Sequence, residues 1–497
     1  MSRVETQLSS LNDDRKIILM ALKNGYHLTE EALEILRKSE DPLGTLTTVI
    51  EHVKKTDPHR IVLDAALIEM FLQQTASLQE SAPVYEEESF TYPEVQIIQY
   101  YPEDVIIEGH LEEFYRYFHS RYIKLRKILE ERGIKFMPLS EIVKMRKDQD
   151  VAAAVMILDK KDTEKAIIFE CEDPSTSTTV LIPKKSGDVF TKAEMVLVDC
   201  VVGMRLKKFN DTIIVQDIIQ PDVPINQKHP QSGPDVSVCI ISDIHIGSKN
   251  FRKDLFESFL DWINRSRDGE VKRVGYVILC GDLVDGVGVY PGQEKELEVV
   301  SINEQFSMAA KFLSEIPERI KLIYLPGNHE PVRKALPQPP LPEVYRKILE
   351  SKREVSFISN PAKILIGNRL IHLYHGQSLD DLIQTLPNVS YSTLNETIGK
   401  ILEVMLQVRH LAPCYGQNTP ILPLDNDPLV IDDVPDVLCT GHVHVAGVKS
   451  YKGVLLVNSG CWQEQTSFQQ SSGLKPTVGT AVLVNLADMS TKIKLFS

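Results

Sequence analysis

The chain has 497 residues, a formal net charge of −14, 43% hydrophobic and 25% charged residues, and seven cysteines. This length exceeds what one hydrophobic core supports, so two to four domains are expected, with a composition ordinary for a soluble globular protein. Without an apolar run of 18 residues, a signal-peptide core or a C-x-x-C pair, the sequence favours a reduced cytoplasm and excludes a membrane span and a zinc ribbon.

Residues 1–72 predict a small helical domain. Thr29-Glu30-Glu31 is typical of a helix start, and helical patterns also cover 46–53 and 61–72. Residues 73–100 are polar and acidic and lack apolar periodicity, which predicts a linker. The helical domain fits either partner docking or scaffolding, and its sequence indicates no chemistry.

Residues 101–149 predict a helical connector, whose main helix spans 111–132. The apolar residues of this helix recur at three- and four-residue steps and so share one face: Tyr115, Phe118, Tyr122, Leu125 and Leu129. Four basic residues lie near that face: Arg121, Lys124, Arg126 and Lys127. They are interpreted as a solvated basic face, with nucleic-acid contact as the alternative.

Residues 150–222 predict an OB-type β-barrel, because five strand patterns follow one another with short polar turns between them. The predicted strands are 151–158, 166–170, 178–182, 195–202 and 212–219. Such barrels often bind single strands, but stacking aromatics are few here, chiefly Phe169 and Phe190. A structural role and a binding role both remain open. The proline-rich residues 223–235 form a second linker.

Residues 236–497 predict an α/β domain that carries the chemistry. Five short apolar runs, typical of buried strands, each end directly at residues able to bind a metal. The exits read Ser242-Asp243-Ile244-His245, Gly281-Asp282, Gly327-Asn328-His329, His375-Gly376 and Gly441-His442-Val443-His444. Ligands at the exits of buried strands are where an α/β fold places its site.

The residues at these exits make a coherent ligand set of aspartates, histidines and one asparagine. Mixed oxygen and nitrogen ligands suit two divalent ions, with manganese as the first choice and magnesium, iron or zinc as alternatives. Two ions about 3.5–4 Å apart can hold a phosphate for in-line attack. Any one of these motifs alone would be a weak signal, whereas five in this order are not expected by chance.

The motif order D-x-H, G-D, G-N-H, H-G and G-H-x-H resembles that of the calcineurin-like metallophosphoesterases, over the last half of the chain. The resemblance implies a C-terminal α/β sandwich with one metal on Asp243, His245 and His444, and a second on Asn328, His375 and His442. It implies that Asp282 bridges both metals and that His329 acts beside the phosphate as the catalytic residue. Glu330 departs from the aspartate found in many members, which leaves the orientation of His329 open.

Three further features of this domain have predicted positions. Crossover helices are expected at 251–264 and 303–315, and the glycine-rich stretch 286–292 is expected to form a loop over the site. His372, inside a predicted strand, is interpreted as a core residue with satisfied hydrogen bonds rather than as a metal ligand. His410 lies in a predicted loop that could face substrate, and its role stays open.

The order of helical domain, acidic linker, barrel and phosphoesterase resembles the small subunit of archaeal family D DNA polymerases. Local matches are 110–114, 125–129, 413–420 and 433–436. The resemblance implies a 3′–5′ proofreading exonuclease that uses two-metal hydrolysis, a separate catalytic large subunit, DNA with a single-stranded or frayed 3′ end as substrate, and a cytoplasmic, nucleoid-associated location. A sliding-clamp contact is compatible, although no segment indicates one. The alternatives are a stand-alone phosphoesterase and a non-catalytic polymerase scaffold.

Overall fold

The computed structural model describes residues 13–39, 42–57, 60–70, 92–102, 105–145, 149–225, 232–265 and 269–497. The chain divides into two compact units, residues 1–91 and 92–497. Residues 73–91 of the predicted acidic linker, 73–100, lie outside the described residues. No described helix combines the length and the apolar character that are needed to cross a bilayer.

The first unit is built from helices around a small apolar core. Its helices are α1 (Asp13–Lys23), α2 (Glu30–Lys38) and α3 (Pro42–Thr56), and residues 65–70 are also helical. Thr29 caps α2 by accepting a hydrogen bond from Ala32 N, as its sequence predicts. A short parallel pair, β1 (His27–Leu28) and β2 (Val62–Leu63), was not anticipated.

The connector contains α4 (Leu111–Glu130) and α5 (Leu139–Lys144), and α4 matches the predicted helix. The interpretation of its basic residues is wrong for Arg121, which is 0% exposed and pairs with Asp427 at 2.7 Å. Arg121 therefore belongs neither to a solvated face nor to a nucleic-acid surface. Conversely, Tyr115 was expected on the apolar face but is exposed.

A closed five-stranded barrel follows α5, with strand order β4-β5-β6-β8-β7. The predicted fourth strand is wrong, because residues 195–200 form a turn region after α6 (Asp188–Glu194), and the strand begins at Val201. That turn region is apolar because it is buried, not because it is extended. Phe169 is buried inside the barrel and Phe190 packs against its core, so neither ring is free to stack on a base. The barrel strands are β4 (Asp150–Asp162), β5 (Ala166–Asp173), β6 (Thr176–Pro183), β7 (Val201–Phe209) and β8 (Thr212–Ile219).

Two six-stranded sheets form the framework of the remaining chain, with strand orders β12-β11-β10-β9-β18-β19 and β16-β17-β15-β14-β13-β3. The first sheet comprises β9 (Ser237–Ile241), β10 (Val274–Cys280), β11 (Lys321–Leu325), β12 (Ser356–Phe357), β18 (Thr480–Asn485) and β19 (Thr491–Leu495). The second comprises β3 (Val95–Gln99), β13 (Ala362–Ile366), β14 (Arg369–Leu373), β15 (Val437–Thr440), β16 (Ala446–Tyr451) and β17 (Val454–Ser459).

Apolar side chains of both sheets pack into one shared core, which makes the pair a sandwich. Helices cover the outer faces, among them two near the predicted crossover positions and one beside β16 and β17. These helices are α7 (Lys253–Arg265), α8 (Gly269–Lys272), α9 (Ile302–Ser314), α10 (Glu343–Glu350), α11 (Leu379–Thr385), α12 (Leu394–Val408) and α13 (Ser467–Ser472).

The predicted linker 73–100 is wrong at its end, because residues 95–99 form the edge strand β3. β3 pairs antiparallel with β13, with Ile97 opposite Ile364. A single isolated five-residue strand has no stable form in water, so its sequence alone gave a weak signal. The hydrogen bonds that order it come from a partner more than 260 residues later in the chain.

Candidate metal centre

The eight predicted site residues meet where strands of both sheets end. β9, β10 and β11 are parallel neighbours in one sheet, and β14 and β15 are parallel neighbours in the other. The carboxyl ends of parallel strands open on the same edge, so the residues that follow them converge. The converging side chains are Asp243, His245, Asp282, Asn328, His329, His375, His442 and His444.

One group able to hold a metal consists of Asp243, His245 and His444, whose ligand atoms all lie within 4.8 Å of one another. His245 Nε2 lies 3.1 Å from His444 Nε2, and His444 Nε2 lies 3.5 Å from Asp243 Oδ1. All three side chains are buried. Asp243 Oδ1 has no hydrogen-bond partner, which a cation at this position would supply.

A second group consists of Asp282, His375 and His442. His375 Nε2 lies 3.2 Å from Asp282 Oδ2 and 3.1 Å from Asn328 Oδ1, so the asparagine joins this group. Asp282 Oδ2 also lies 3.9 Å from His245 Nε2, at the edge of the first group. Asp282 thus faces both groups. The oxygen and nitrogen atoms that the two groups offer fit the pair of divalent ions expected from the sequence.

Backbone strain is concentrated at this centre. Five of the eight site residues have φ between 52° and 70°, in the left-handed region that side chains other than glycine rarely adopt. They are Asp243, His245, Asp282, His442 and His444. Such strain persists only where the surrounding structure holds it in place. With this backbone conformation, the five side chains point from the ends of their strands toward the same centre.

Two motif glycines are required because the backbone passes close to the ligands. A Cβ at Gly281, whose φ is +91°, would lie 2.2 Å from His375 Nδ1. A Cβ at Gly327 would lie 2.2 Å from Asp282 Oδ1. The glycines of the G-D and G-N-H motifs therefore make room for the metal-binding side chains themselves.

Each ring of this centre is oriented by a partner behind it. His245 Nδ1 donates to Asp285 Oδ1 at 2.9 Å, and His375 Nδ1 donates to the Cys280 carbonyl at 2.8 Å. Both contacts leave Nε2 facing the group, as orienting partners of metal-binding histidines do. Two more partners lie 2.9 Å away: the Asp380 carboxylate from His442 Nε2, and the Gln469 amide from His444 Nδ1.

Sequence reasoning missed Asp285, Asp380 and Gln469. Asp285 follows Asp282 by three residues, and its place in the G-D-x-x-D stretch was a signal that could have been used. Asp380 and Gln469 lie on α11 and at the start of α13, far in sequence from the histidines that they contact. No local pattern distinguishes them from ordinary helix residues.

Carboxylates and imidazoles at the centre shift one another's protonation. Burial disfavours a charged His245, but the hydrogen bond to Asp285 and the nearby carboxylates outweigh it and raise its pKa to about 9. Burial is likewise outweighed at His375, where the charge of Asp282 raises the pKa to about 10. Burial raises the pKa of Asp243. At Asp282 the imidazoles, chiefly His375, overcome burial and hold the pKa well below its usual value.

The orientation of His329, which the presence of Glu330 left open, is explained by two contacts. His329 Nδ1 donates to the Asp285 carbonyl at 2.7 Å, and His329 N donates to Asp282 Oδ1 at 2.9 Å. The Glu330 carboxylate is buried and accepts hydrogen bonds from Asp282 N, Leu283 N and Gly327 N. Glu330 therefore ties the two motif loops together, while burial lowers the pKa of His329 to about 4.

A cleft of about 340 Å³ opens onto both groups. His245, Asp282, Asn328, His442 and His444 form part of its wall, with His329 among them. Tyr290, from the glycine-rich stretch 286–292, also lines it, which agrees with the predicted loop over the site. A phosphate reaching this cleft would meet ligands of both groups at once.

The other two histidines singled out by the sequence do not join the centre. His372 is buried in β14, as expected of a core residue, but the expectation of a satisfied ring is wrong for Nε2, which has no hydrogen-bond partner. His410 is buried as well, and its Nε2 lies 2.9 Å from Asp427 Oδ2. His410 thus belongs to the buried group around Arg121 and does not face the cleft.

Comparison with known proteins gives a consistent result. The family model for the B subunits of DNA polymerases alpha and epsilon matches residues 238–446. The DNA polymerase II small subunit of Methanothermobacter thermautotrophicus is 35% identical, covering 95% of this chain and 98% of the relative. That of Thermoplasma acidophilum is 34% identical, covering 99% and 95%.

Among solved structures, a protein described as a novel archaeal phosphodiesterase covers 52% of this chain and all of its own, with 14% identity. Its TM-score of 0.26 is too low to support an argument. The assignment rests instead on the sequence relatives, which match this chain over nearly its whole length and theirs. The chain belongs to the archaeal DNA polymerase II (family D) small subunits.

Proposed function

We propose that this chain is a metal-dependent 3′–5′ exonuclease that proofreads for the catalytic large subunit of a heteromeric DNA polymerase. The observation that carries the proposal is the convergence of two metal-binding groups, which both include or face Asp282, on one open cleft. A polymerase scaffold needs no such centre. Family membership supports the large-subunit partner and DNA as the substrate.

Each of the two groups would bind one of the two metal ions. Asp243, His245 and His444 would hold one divalent ion, and Asn328, His375 and His442 would hold the other. Asp282 contributes to both sites, and manganese is the first candidate. When bound, such ions activate water and offset the charge that develops on the phosphate. His442 binds through Nδ1, because its Nε2 contacts Asp380.

His329 is the proposed catalytic residue. Its Nδ1 donates to the Asp285 carbonyl, so Nε2 is the ring atom left to face the cleft. An anionic phosphate beside the ring raises its pKa, and the protonated Nε2 then donates a proton to the departing 3′ oxygen. The Asp285 contact keeps the ring in the orientation that this transfer needs.

The direct test offers single-stranded, 3′-recessed and mismatched DNA to the full chain in manganese, with and without the large subunit. Release of 3′ nucleotides in either setting is expected; its absence in both would reject the exonuclease. His329→Ala should lower kcat by about 10²–10⁴-fold with little change in bound metal, and Asp282→Asn should lower both. The exposed His27→Ala is the matched control and should resemble the parent.

Two alternative functions predict different outcomes. A stand-alone phosphoesterase would hydrolyse small phosphate esters efficiently and would gain nothing from the large subunit. A non-catalytic scaffold would bind the large subunit and show no metal-dependent turnover. The intact ligand set favours a catalyst over the scaffold.

The domain assignments form a further part of the proposal. Residues 1–72 act as a separate helical domain, and of the predicted linker 73–100 only residues 73–94, which precede the edge strand β3, keep that role. Residues 101–149 form the connector, 150–222 an OB-type barrel, 223–235 a short linker and 236–497 the phosphoesterase. Limited proteolysis should cut first within 73–91; a stable fragment that spans this segment would contradict the proposed boundary.

A further inference from the structure

An exposed aromatic side chain stands at the rim of the cleft. Phe468, the second residue of α13, is 70% exposed and lines the same cleft as the two metal-binding groups. Two tyrosines, Tyr290 and Tyr391, line it as well. Single exposed apolar residues are common on protein surfaces, so the position of Phe468 matters more than its exposure.

The helix that carries Phe468 is held beside the candidate metal centre. Thr466 caps the start of α13, and its side chain accepts a hydrogen bond from Gln469 N. The Gln469 side chain in turn lies 2.9 Å from His444 Nδ1. The residue directly after Phe468 therefore contacts a histidine of the candidate metal centre, which places the backbone of Phe468 beside that centre.

The charge of the cleft excludes the usual means of holding a nucleic acid. The described residues that line it include the carboxylates of Asp282, Asp285, Glu296 and Asp380, and no lysine or arginine. Beyond the metals, this wall repels a phosphate backbone. Uncharged contacts can attract the rest of a nucleotide here, and stacking of a base on an aromatic ring contributes about 1–3 kcal/mol in single-strand binding.

Of the three rim aromatics, Phe468 is the most exposed, at 70% against 39% for Tyr290, and Tyr391 is half-buried. The Tyr290 hydroxyl donates to Glu296 at 2.8 Å, and the Tyr391 hydroxyl donates to Asp380 at 2.8 Å. These bonds hold both tyrosines against the acidic wall. Phe468 has no polar atom, so covering its ring with another apolar surface removes it from water without breaking a hydrogen bond.

We propose that Phe468 forms a nucleobase subsite, on which an unpaired base beside the scissile phosphate stacks. The inference rests on the proposed exonuclease and adds a basis for its substrate choice. A base inside a duplex is already covered on both faces by its neighbours, and it must leave the helix before it can stack on the ring. Phe468 thereby favours frayed or mismatched 3′ ends over paired ends.

The first test measures binding without turnover. The full chain in manganese is titrated with a single-stranded oligonucleotide that carries 3′-terminal 2-aminopurine and phosphorothioate linkages, which resist cleavage. Stacking on Phe468 should quench the 2-aminopurine fluorescence. Phe468→Ala should abolish the quenching and raise Kd about 5- to 150-fold, the range expected for loss of one stacked base. Quenching that persists in Phe468→Ala would overturn the subsite.

Matched variants separate stacking from general apolar contact. Phe468→Trp should retain the parent Kd, whereas Phe468→Leu should lose most of the affinity that Phe468→Ala loses. The control Phe209→Ala removes a ring of similar exposure, 56%, from the barrel strand β7 and should match the parent. If leucine restores binding fully, or if Phe209→Ala weakens it equally, Phe468 is no stacking platform.

The second test separates this inference from the exonuclease itself. KM and kcat are compared for oligonucleotides with normal and with abasic 3′-terminal nucleotides. Phe468→Ala should raise KM for the normal end about tenfold. For the abasic end, KM should be the same in the parent and in Phe468→Ala, because that end has no base to stack on the ring. A parent protein that releases no nucleotide rejects the proposed function. A parent that does so with the same KM as Phe468→Ala rejects the subsite alone.

Discussion

Metal binding is expected to stabilise the folded chain strongly, because its ligands assemble only on folding. His245 and His444, which lie 3.1 Å apart in the fold, are separated by 199 residues in the sequence. The unfolded chain offers no such group, so an ion that binds the folded state alone raises the free energy of unfolding by RT ln(1 + [L]/Kd). At a metal concentration 1,000 times Kd, each site contributes about 4 kcal/mol, and two sites contribute about 8 kcal/mol.

This free energy translates into a measurable melting shift. Residues 92–497 form one compact unit, and a unit of this size unfolds with an entropy of roughly 0.8 kcal/mol per kelvin. The melting temperature should therefore rise by about 10 °C when manganese is added to protein stripped with EDTA. Differential scanning calorimetry across a manganese titration measures the shift.

A pair of variants shows whether the shift arises at the proposed centre. Asp282→Asn removes the carboxylate that faces both groups and should reduce the rise to a few degrees. Glu304→Gln makes the same change of charge at an exposed position on α9 and should leave the rise intact. A rise below about 2 °C in the parent, or an equal rise in Asp282→Asn, would refute the assignment of these residues as the metal cage.

Three further predictions concern the frame around the centre. Asp427→Asn should lower the free energy of unfolding, measured in urea, by about 3–5 kcal/mol, because it leaves the buried guanidinium of Arg121 without an anion. Asp425→Asn, at an exposed position, should lower it by at most about 1 kcal/mol. Equal losses in the two variants would contradict this. Burial lowers the pKa of His410 to about 4, so below about pH 6.5 the unfolded chain takes up a proton that the folded chain refuses. The contribution of His410 to stability should be complete above pH 6.5 and fall by up to about 3 kcal/mol toward pH 4; His410→Gln should make this part of the melting profile less steep, and an unchanged slope would refute the assignment. Gly281→Ala should lower bound metal, measured by elemental analysis, since its Cβ meets a metal-group ring, whereas Gly288→Ala has a similar φ and open space around it; equal metal loss in both would show that strain alone is responsible.

Much of the metal centre could be predicted because its signals are local. Each ligand follows a short β-branched apolar run, and each motif glycine stands beside the residue that needs the space, as Gly281 does beside Asp282. Strand period and glycine conformation depend on neighbouring residues alone. The positions of α4, α7 and α9 were predictable for the same reason, since their apolar faces repeat at helical spacing.

Other features depended on contacts between distant segments. Arg121 carries the same local signals as its basic neighbours, yet it is buried because Asp427, 306 residues later, supplies a compensating charge. β3 is ordered by β13, and the residues that orient the histidines, among them Asp380 and Gln469, come from helices without a distinctive pattern. A residue's own sequence context carries no information about such partners.

By itself, the amino-acid sequence predicted which side chains could bind metal, on which strand ends they stand, and to which family the chain is similar. The tertiary structure alone decided which partners orient those side chains, which charges are buried in pairs, and that Phe468 stands exposed at the rim of the cleft. The physical reason is the separation in sequence over which each interaction acts. Hydrogen-bonding period and backbone conformation act over a few residues, whereas burial and electrostatic pairing are properties of segments that meet only when the chain has folded.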